Sequence, residues 1–381
     1  MRSLVLSAFF SIFILSSCSD GLLRPADKKA TRETVNLFKS MWELQQKGLM
    51  YGHQDDLMYG HTWWYEEGRS DVKDFTGDYP AIAGFELGHL ELGDERSLDS
   101  VSFAQIPEQV RAHYKRGGII TMSWHANNPL TMQLPDSLQG SQGGTAWDVS
   151  SHEVVASILP GGENQQLFRT WLTRLATFFK GLKDDDGTPI PILFRPYHEH
   201  SGSFFWWGAG ICTDRQYADL WRYTVHFLRD TMNIHNILYI YNTDRVTSLA
   251  QYMRGYPGDD VVDMMSFDMY DRGPQFGAEL DSALNFVSHE AIARKKLTAL
   301  SETGPRFGMA DWWTSVLLPT MSKYPESYVL TWRDTYYTGS FLRRLGGTPR
   351  PAFSPDFLDF YKSPHTFFLK EIQHPNVYTR K

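Results

Sequence analysis

Short apolar runs alternate along the chain with stretches of helical periodicity. The runs fall at residues 49–56, 80–87, 119–125, 191–194, 237–242, 261–267, 297–302 and 328–333. Their interiors are near-continuous apolar runs, the pattern of parallel strands buried on both faces. Between them, 31–47, 106–116, 166–180, 216–231, 280–294 and 312–323 repeat apolar residues at helical spacing. Eight buried strands interleaved with helices predict an α/β fold, a single (β/α)8 TIM barrel. The stretch 126–160, rich in Gly, Ser and Gln, predicts a long loop after the third strand.

A polar or charged residue closes or follows nearly every run: Gln54, Glu86, His125, Glu199, Asn242, Asp268, Glu302 and Arg333. Barrel active sites are built from those C-terminal ends. Two of the residues carry the argument further. Glu199 follows Phe194-Arg195-Pro196-Tyr197-His198 and precedes His200, Ser201-Gly202-Ser203 and the four aromatics Phe204 to Trp207. A carboxyl beside imidazole and aromatic rings loses solvation, which favours its acid form. Flat ring faces also suit the C–H faces of sugars. Glu302 ends the run Leu297 to Ser301 and is closed by Gly304. The two Glu lie 103 positions apart, about three βα units of roughly 30 to 35 residues. Two strand-end carboxylates across one barrel mouth are the equipment of glycoside hydrolysis. A core strand with an ion-paired Glu would explain either run alone.

Composition narrows the class. The chain has 381 residues, of which 14% are aromatic, and a formal charge of -7. That charge, with no long Lys/Arg cluster, argues against a nucleic-acid surface. No Gly-rich phosphate loop, HExxH or CxxC occurs, so we expect neither cofactor nor metal. Asp184-Asp185-Asp186 reads as a solvated turn, although three carboxylates can hold Ca²⁺. Arg2, the apolar run 4–15 and Leu15-Ser16-Ser17-Cys18 read as a lipoprotein signal peptide over 1–18, with Cys18 lipidated. Residues 19–30 then form a tether and 31–381 the catalytic unit. The expected place is the outer membrane, periplasmic face, with membrane contact through the lipid only. Cys212 is left without a partner for a disulfide.

Six stretches in order resemble glycoside hydrolase family 26, the retaining β-mannanases. They are YGHQDD from Tyr51, SWHANNP from Ser123, RPYHEHSGSFFWWG from Arg195, SFDMYD from Ser266, LSETG from Leu300 and TWRD from Thr331. The resemblance implies that Glu199 is the acid/base and Glu302 the nucleophile of a double displacement on β-1,4-mannosidic bonds. It implies substrate contacts from His125, His198, Asp268, Tyr270, Trp332 and Arg333, and from Phe204 where the family often has Trp. Tyr270 is expected to hydrogen-bond Glu302 and hold it ionised. The implied partner is a mannan, galactomannan or manno-oligosaccharide, bound by a monomer that is endo-acting or releases mannobiose. A family hydrolase of mixed-linkage β-glucan or β-xylan is the alternative, and a non-catalytic glycan-binding lipoprotein a remoter one. Away from the site, His53 and His61 read as structural, His200 as an exposed loop residue and Trp312-Trp313 as core. Trp63-Trp64 fits a sugar platform and a core corner equally.

Overall fold

The computed structural model describes residues 23–135, 142–305, 309–332, 354–374 and 376–379. Eight parallel strands close into a barrel: β1 (Leu49–Gln54), β2 (Ile82–Glu86), β3 (Ile119–Trp124), β4 (Ile192–Pro196), β5 (Ile237–Thr243), β6 (Met264–Asp268), β7 (Leu297–Thr303) and β8 (Tyr328–Thr331). The order runs β2 through β8 and then β1, which pairs back to β2. A two-residue strand, β9 (Thr366–Phe367), adds to the start of β1. This is the expected (β/α)8 barrel.

Strand period 2 sorts the apolar residues into two cores. Met50, Ile82, Ile119, Leu193, Leu238, Ile240, Met264, Leu297, Ala299, Tyr328 and Leu330 form one cluster, the barrel interior. Their neighbours Tyr51, Ala83, Ile120, Phe194, Tyr239, Tyr241, Met265, Leu300 and Val329 join the larger cluster under the outer helices. Leu37, Phe38 and Met41 of the helix Arg32–Leu44 belong to the interior cluster. That helix plugs the N-terminal end of the barrel, and Thr31 caps it by accepting from the Thr34 amide.

Counting by twos from the interior residues reaches the C-terminal mouth. Leu193 leads to Arg195, Ile240 to Asn242, Met264 to Ser266 and Asp268, and Ala299 to Ser301. Glu302 falls on the wrong parity. The β6–β7 and β7–β8 registers both shift at this point, with Phe267 opposite Leu300 but Asp268 opposite Glu302. The extra residue lets Ser301 and Glu302 both face the mouth, as bulges beside active sites do.

The structure differs from the sequence expectation in four places. The chain from Leu23 packs on the barrel rather than hanging as a tether: the Ala26 amide donates to Asp263 and the buried Asp27 pairs with His235. His200 is buried, not exposed. It stacks on Tyr217 at 4.0 Å, and its nitrogens lie 2.9 Å from the carbonyls of Asn242 and Arg254. The helix after β4 starts at Asp214, capped by a Thr213–Gln216 box, and its regular part ends at His226. The loop after β3 is not featureless, because it carries the helix Val154–Ile158 and buries Ala146 and Asp148. Trp312 and Trp313 are core, as read, and so is Trp63, whose indole donates to Asp71.

Candidate active site

β4 ends at Pro196, and the next three residues make a strained turn. Tyr197 and Glu199 both have left-handed backbone, with φ of 49° and 52°, each costing on the order of 1 kcal/mol. Side chains hold the turn in place. Tyr217 donates to the Tyr197 carbonyl, Trp207 to the His198 carbonyl, and the Glu199 amide to Asn242 Oδ1. The outcome is a half-buried Glu199 carboxyl presented at the mouth.

One oxygen each from Glu199, Asp268 and Glu302 lies within 4.8 Å of the others. The three carboxyls differ in their partners. Glu302 takes an ion pair from Arg195 and accepts the Tyr270 hydroxyl at 2.9 Å, the contact expected from the sequence. Asp268 pairs with Arg195 at 2.7 Å and accepts from the Asn242 amide at 2.8 Å and from Ser301 at 3.0 Å. The Glu199 carboxyl has no such partner among the described residues.

Three carboxyls facing one guanidinium leave an excess of negative charge in a dry place. Burial, with Asp268, Glu302 and Asp244 adding to it, holds Glu199 well above the ordinary carboxylate range. Burial pushes Asp268 up as well, against the pull of Arg195. The proton settles on Glu199, because the other two have donors that prefer the anion. The site therefore sets a carboxyl that favours its acid form beside one that is ion-paired to Arg195 and bonded by Tyr270.

A second chain of groups stands on β2, β3 and the turn after β4. His198 Nε2 lies 3.0 Å from His125 Nε2, and His125 Nδ1 lies 3.0 Å from Glu86 Oε2. Burial works against ionised Glu86, but His125, backbone amides and Ser123 outweigh it and bring its pKa to about 2. Burial, His125 and Arg195 push His198 well below the usual imidazole range, so it is neutral at neutral pH. Its Nδ1 is buried with no hydrogen-bond partner among the described residues.

Aromatic rings enclose His125. Trp147 stacks on it at 5.3 Å, and Phe205 and Trp332 meet it edge-on at 5.5 and 5.9 Å. Phe204 is 38% exposed at the rim, against Phe205. Of the residues singled out in the sequence, the structure brings together Glu199, Glu302, Asp268, Tyr270, His125, His198 and Trp332, with Phe204 outside them. Arg333 and Cys18 lie outside the described residues. Arg195, Ser301 and Trp147 were not anticipated. Arg195 was visible only as a charge where an apolar run breaks, and Trp147 sits in the loop after β3, with no strand to place it.

Known proteins resemble this chain over most of its length. A family model for Glycosyl hydrolase family 26 matches residues 26–344. The chain is 34% identical over 294 residues to a mannan endo-1,4-β-mannosidase of Bifidobacterium adolescentis, covering 73% of this chain but only 28% of that longer protein. It is 24% identical over 323 residues to another of that name from Bacillus subtilis, covering 82% of each. A family 26 β-mannanase structure from Bacteroides ovatus superposes with a TM-score of 0.84 at 38% identity, covering 92% of this chain and 98% of that one. By sequence, barrel and the carboxylates at its mouth, the chain belongs to glycosyl hydrolase family 26.

Proposed function

We propose that the protein hydrolyses β-1,4-mannosidic bonds in mannan, galactomannan or manno-oligosaccharides with retention of configuration. The carrying observation is the pair of carboxyls within 4.8 Å, one with its acid form favoured and one ion-paired to Arg195. Retaining enzymes need about 5 to 5.5 Å between the two groups, whereas inverting ones leave room for a water. Glu302 attacks the anomeric carbon, and Glu199 gives its proton to the leaving glycosidic oxygen. The bond to that oxygen breaks as the bond to Glu302 forms. Glu199, now a carboxylate, takes a proton from water, which displaces Glu302 and restores both groups. Arg195 and Tyr270 hold the Glu302 carboxyl in place for attack and stabilise it as a leaving group afterwards. Neutral His198 backs His125 from behind, and Trp147, Phe205 and Trp332 line that side.

The relatives' printed activity supports mannan over the β-glucan and β-xylan alternatives. Initial rates on mannotetraose, cellotetraose and xylotetraose, with the anomer of the first product read by proton NMR, test the reading. We expect hydrolysis of mannotetraose with the β-anomer first. Faster cleavage of either other substrate would overturn the specificity, and the α-anomer would overturn the mechanism. Whether the enzyme is endo-acting or releases mannobiose rests on the loop after β3, which seats Trp147 beside the cleft. The location reading is separate: Cys18 is lipidated and holds a monomer at the periplasmic face of the outer membrane. Cys18→Ser should move the protein from the membrane to the soluble fraction with activity intact.

A further inference from the structure

The described part of the N-terminal segment lies against the end of the barrel opposite the active site. Leu23 packs in the interior cluster that the N-terminal helix closes. The Ala26 amide donates to Asp263, just before β6, and the Thr31 amide to the His235 carbonyl, just before β5. The same end carries a cavity of about 470 Å³ beneath β2 and β3. Its charged lining is Lys73, Lys115, Arg116 and Lys370 against Asp78, on a protein whose overall charge is -7.

The local charge is therefore reversed, with Asp78 and Glu371 the carboxyls near Lys370. Lys73 and Lys370 donate to the uncharged carbonyls of Gly68 and Gly77. Lys115 has one exposed pair with Asp185 at 3.1 Å, which salt and solvent weaken. Arg116 lies over the Tyr79 ring at 4.4 Å, and one guanidinium nitrogen is buried without a partner among the described residues. Lys73 covers the same ring at 4.6 Å. Two cations fixed on one aromatic, beside an open cavity, form a preorganised anion site.

From these positions we infer that the basic cavity docks the phosphate headgroups of an anionic lipid surface. The inference rests on the anchoring reading and deepens it, since it puts the site at the end of the barrel where Leu23 and Ala26 pack. The protein then stands with its N-terminal end on the membrane and its catalytic mouth facing away, open to incoming chains. Lipid and cavity would act as two weak signals that add.

The test uses the full chain as the Cys18→Ser variant, so its result does not depend on lipidation. Co-sedimentation with phosphatidylcholine vesicles is compared with vesicles that also hold phosphatidylglycerol. A second protein carries Lys73→Gln, Lys115→Gln and Lys370→Gln as well, and unchanged hydrolysis of mannotetraose certifies its fold. We expect binding to the anionic vesicles only, lost in high salt. The triple substitution should weaken it on the order of 100-fold, since each cation near such a surface contributes roughly a fivefold factor. Equal binding by the two proteins would overturn the inference. So would displacement by inorganic phosphate beyond that by sodium chloride at equal ionic strength, which would mark a site for soluble phosphate esters.

Discussion

Asp268→Asn isolates the electrostatic argument for the acid. The substitution keeps the shape of the side chain and removes one of the charges that hold the proton on Glu199. Two unit charges at the 4.8 Å bound on these oxygens repel by about 3.5 kcal/mol at an effective dielectric of about 20. That corresponds to roughly 2.5 pH units. Arg195 cancels part of it, since the guanidinium sits between Asp268 and Glu302. The basic limb of the kcat/KM profile, which reports the free enzyme's acid, should therefore move down by about one to two pH units. The fold should lose about 1 to 3 kcal/mol, because an amide cannot accept at once from Arg195, Asn242 and Ser301. Full profiles on mannotetraose, with urea denaturation as the control, separate the two effects. A basic limb that stays at the wild-type position, in a variant that folds, would refute the charge argument for Glu199.

Three further outcomes follow from the same site. Glu199→Gln should lose on the order of 10³-fold or more in kcat, yet be more stable than wild type at neutral pH. A carboxyl with a raised folded pKa penalises the folded state as pH climbs past its unfolded value of 4.5, so the gain should vanish below that pH in thermal melts. Glu86→Gln should destabilise by about 3 kcal/mol at neutral pH, from a pKa held near 2 against 4.5. The stabilisation is present above 4.5 and lost as pH falls toward 2, so urea midpoints of variant and wild type should converge in acid. Trp147→Ala should raise KM for manno-oligosaccharides by about fivefold, from about 1 kcal/mol of ring contact, and kcat less; an unchanged KM would remove Trp147 from the substrate wall.

The barrel was legible because parallel strands buried on both faces leave an unmistakable rhythm of apolar runs. Glu199, Asp268 and Glu302 were legible because each stands at the end of such a run. The partners were harder. Arg195 reaches Asp268 and Glu302 from 73 and 107 positions away, a pairing that only the closed barrel creates. The bulge that turns Glu302 inward depends on register with β6 and β8, which one strand's sequence does not encode. His200 looked exposed because its neighbours are Ser and Gly, but the tight turn folds it under Tyr217. Trp147 was hidden in a Gly-rich stretch whose backbone is fixed by Asn128, Asp148 and the Trp206 amide.

The central claim is that Glu302 becomes covalently attached to the sugar while Glu199 handles the proton. Trapping tests it most directly. The protein is incubated with a 2-deoxy-2-fluoro-mannosyl fluoride, whose fluorine slows release of the glycosyl-enzyme, then digested and sequenced by mass spectrometry. The account predicts one equivalent of label on the Glu302 carboxyl, and a Glu199→Ala variant that accumulates the same adduct. Label on Glu199 or Asp268, or no adduct from an enzyme that turns over mannotetraose, would contradict it.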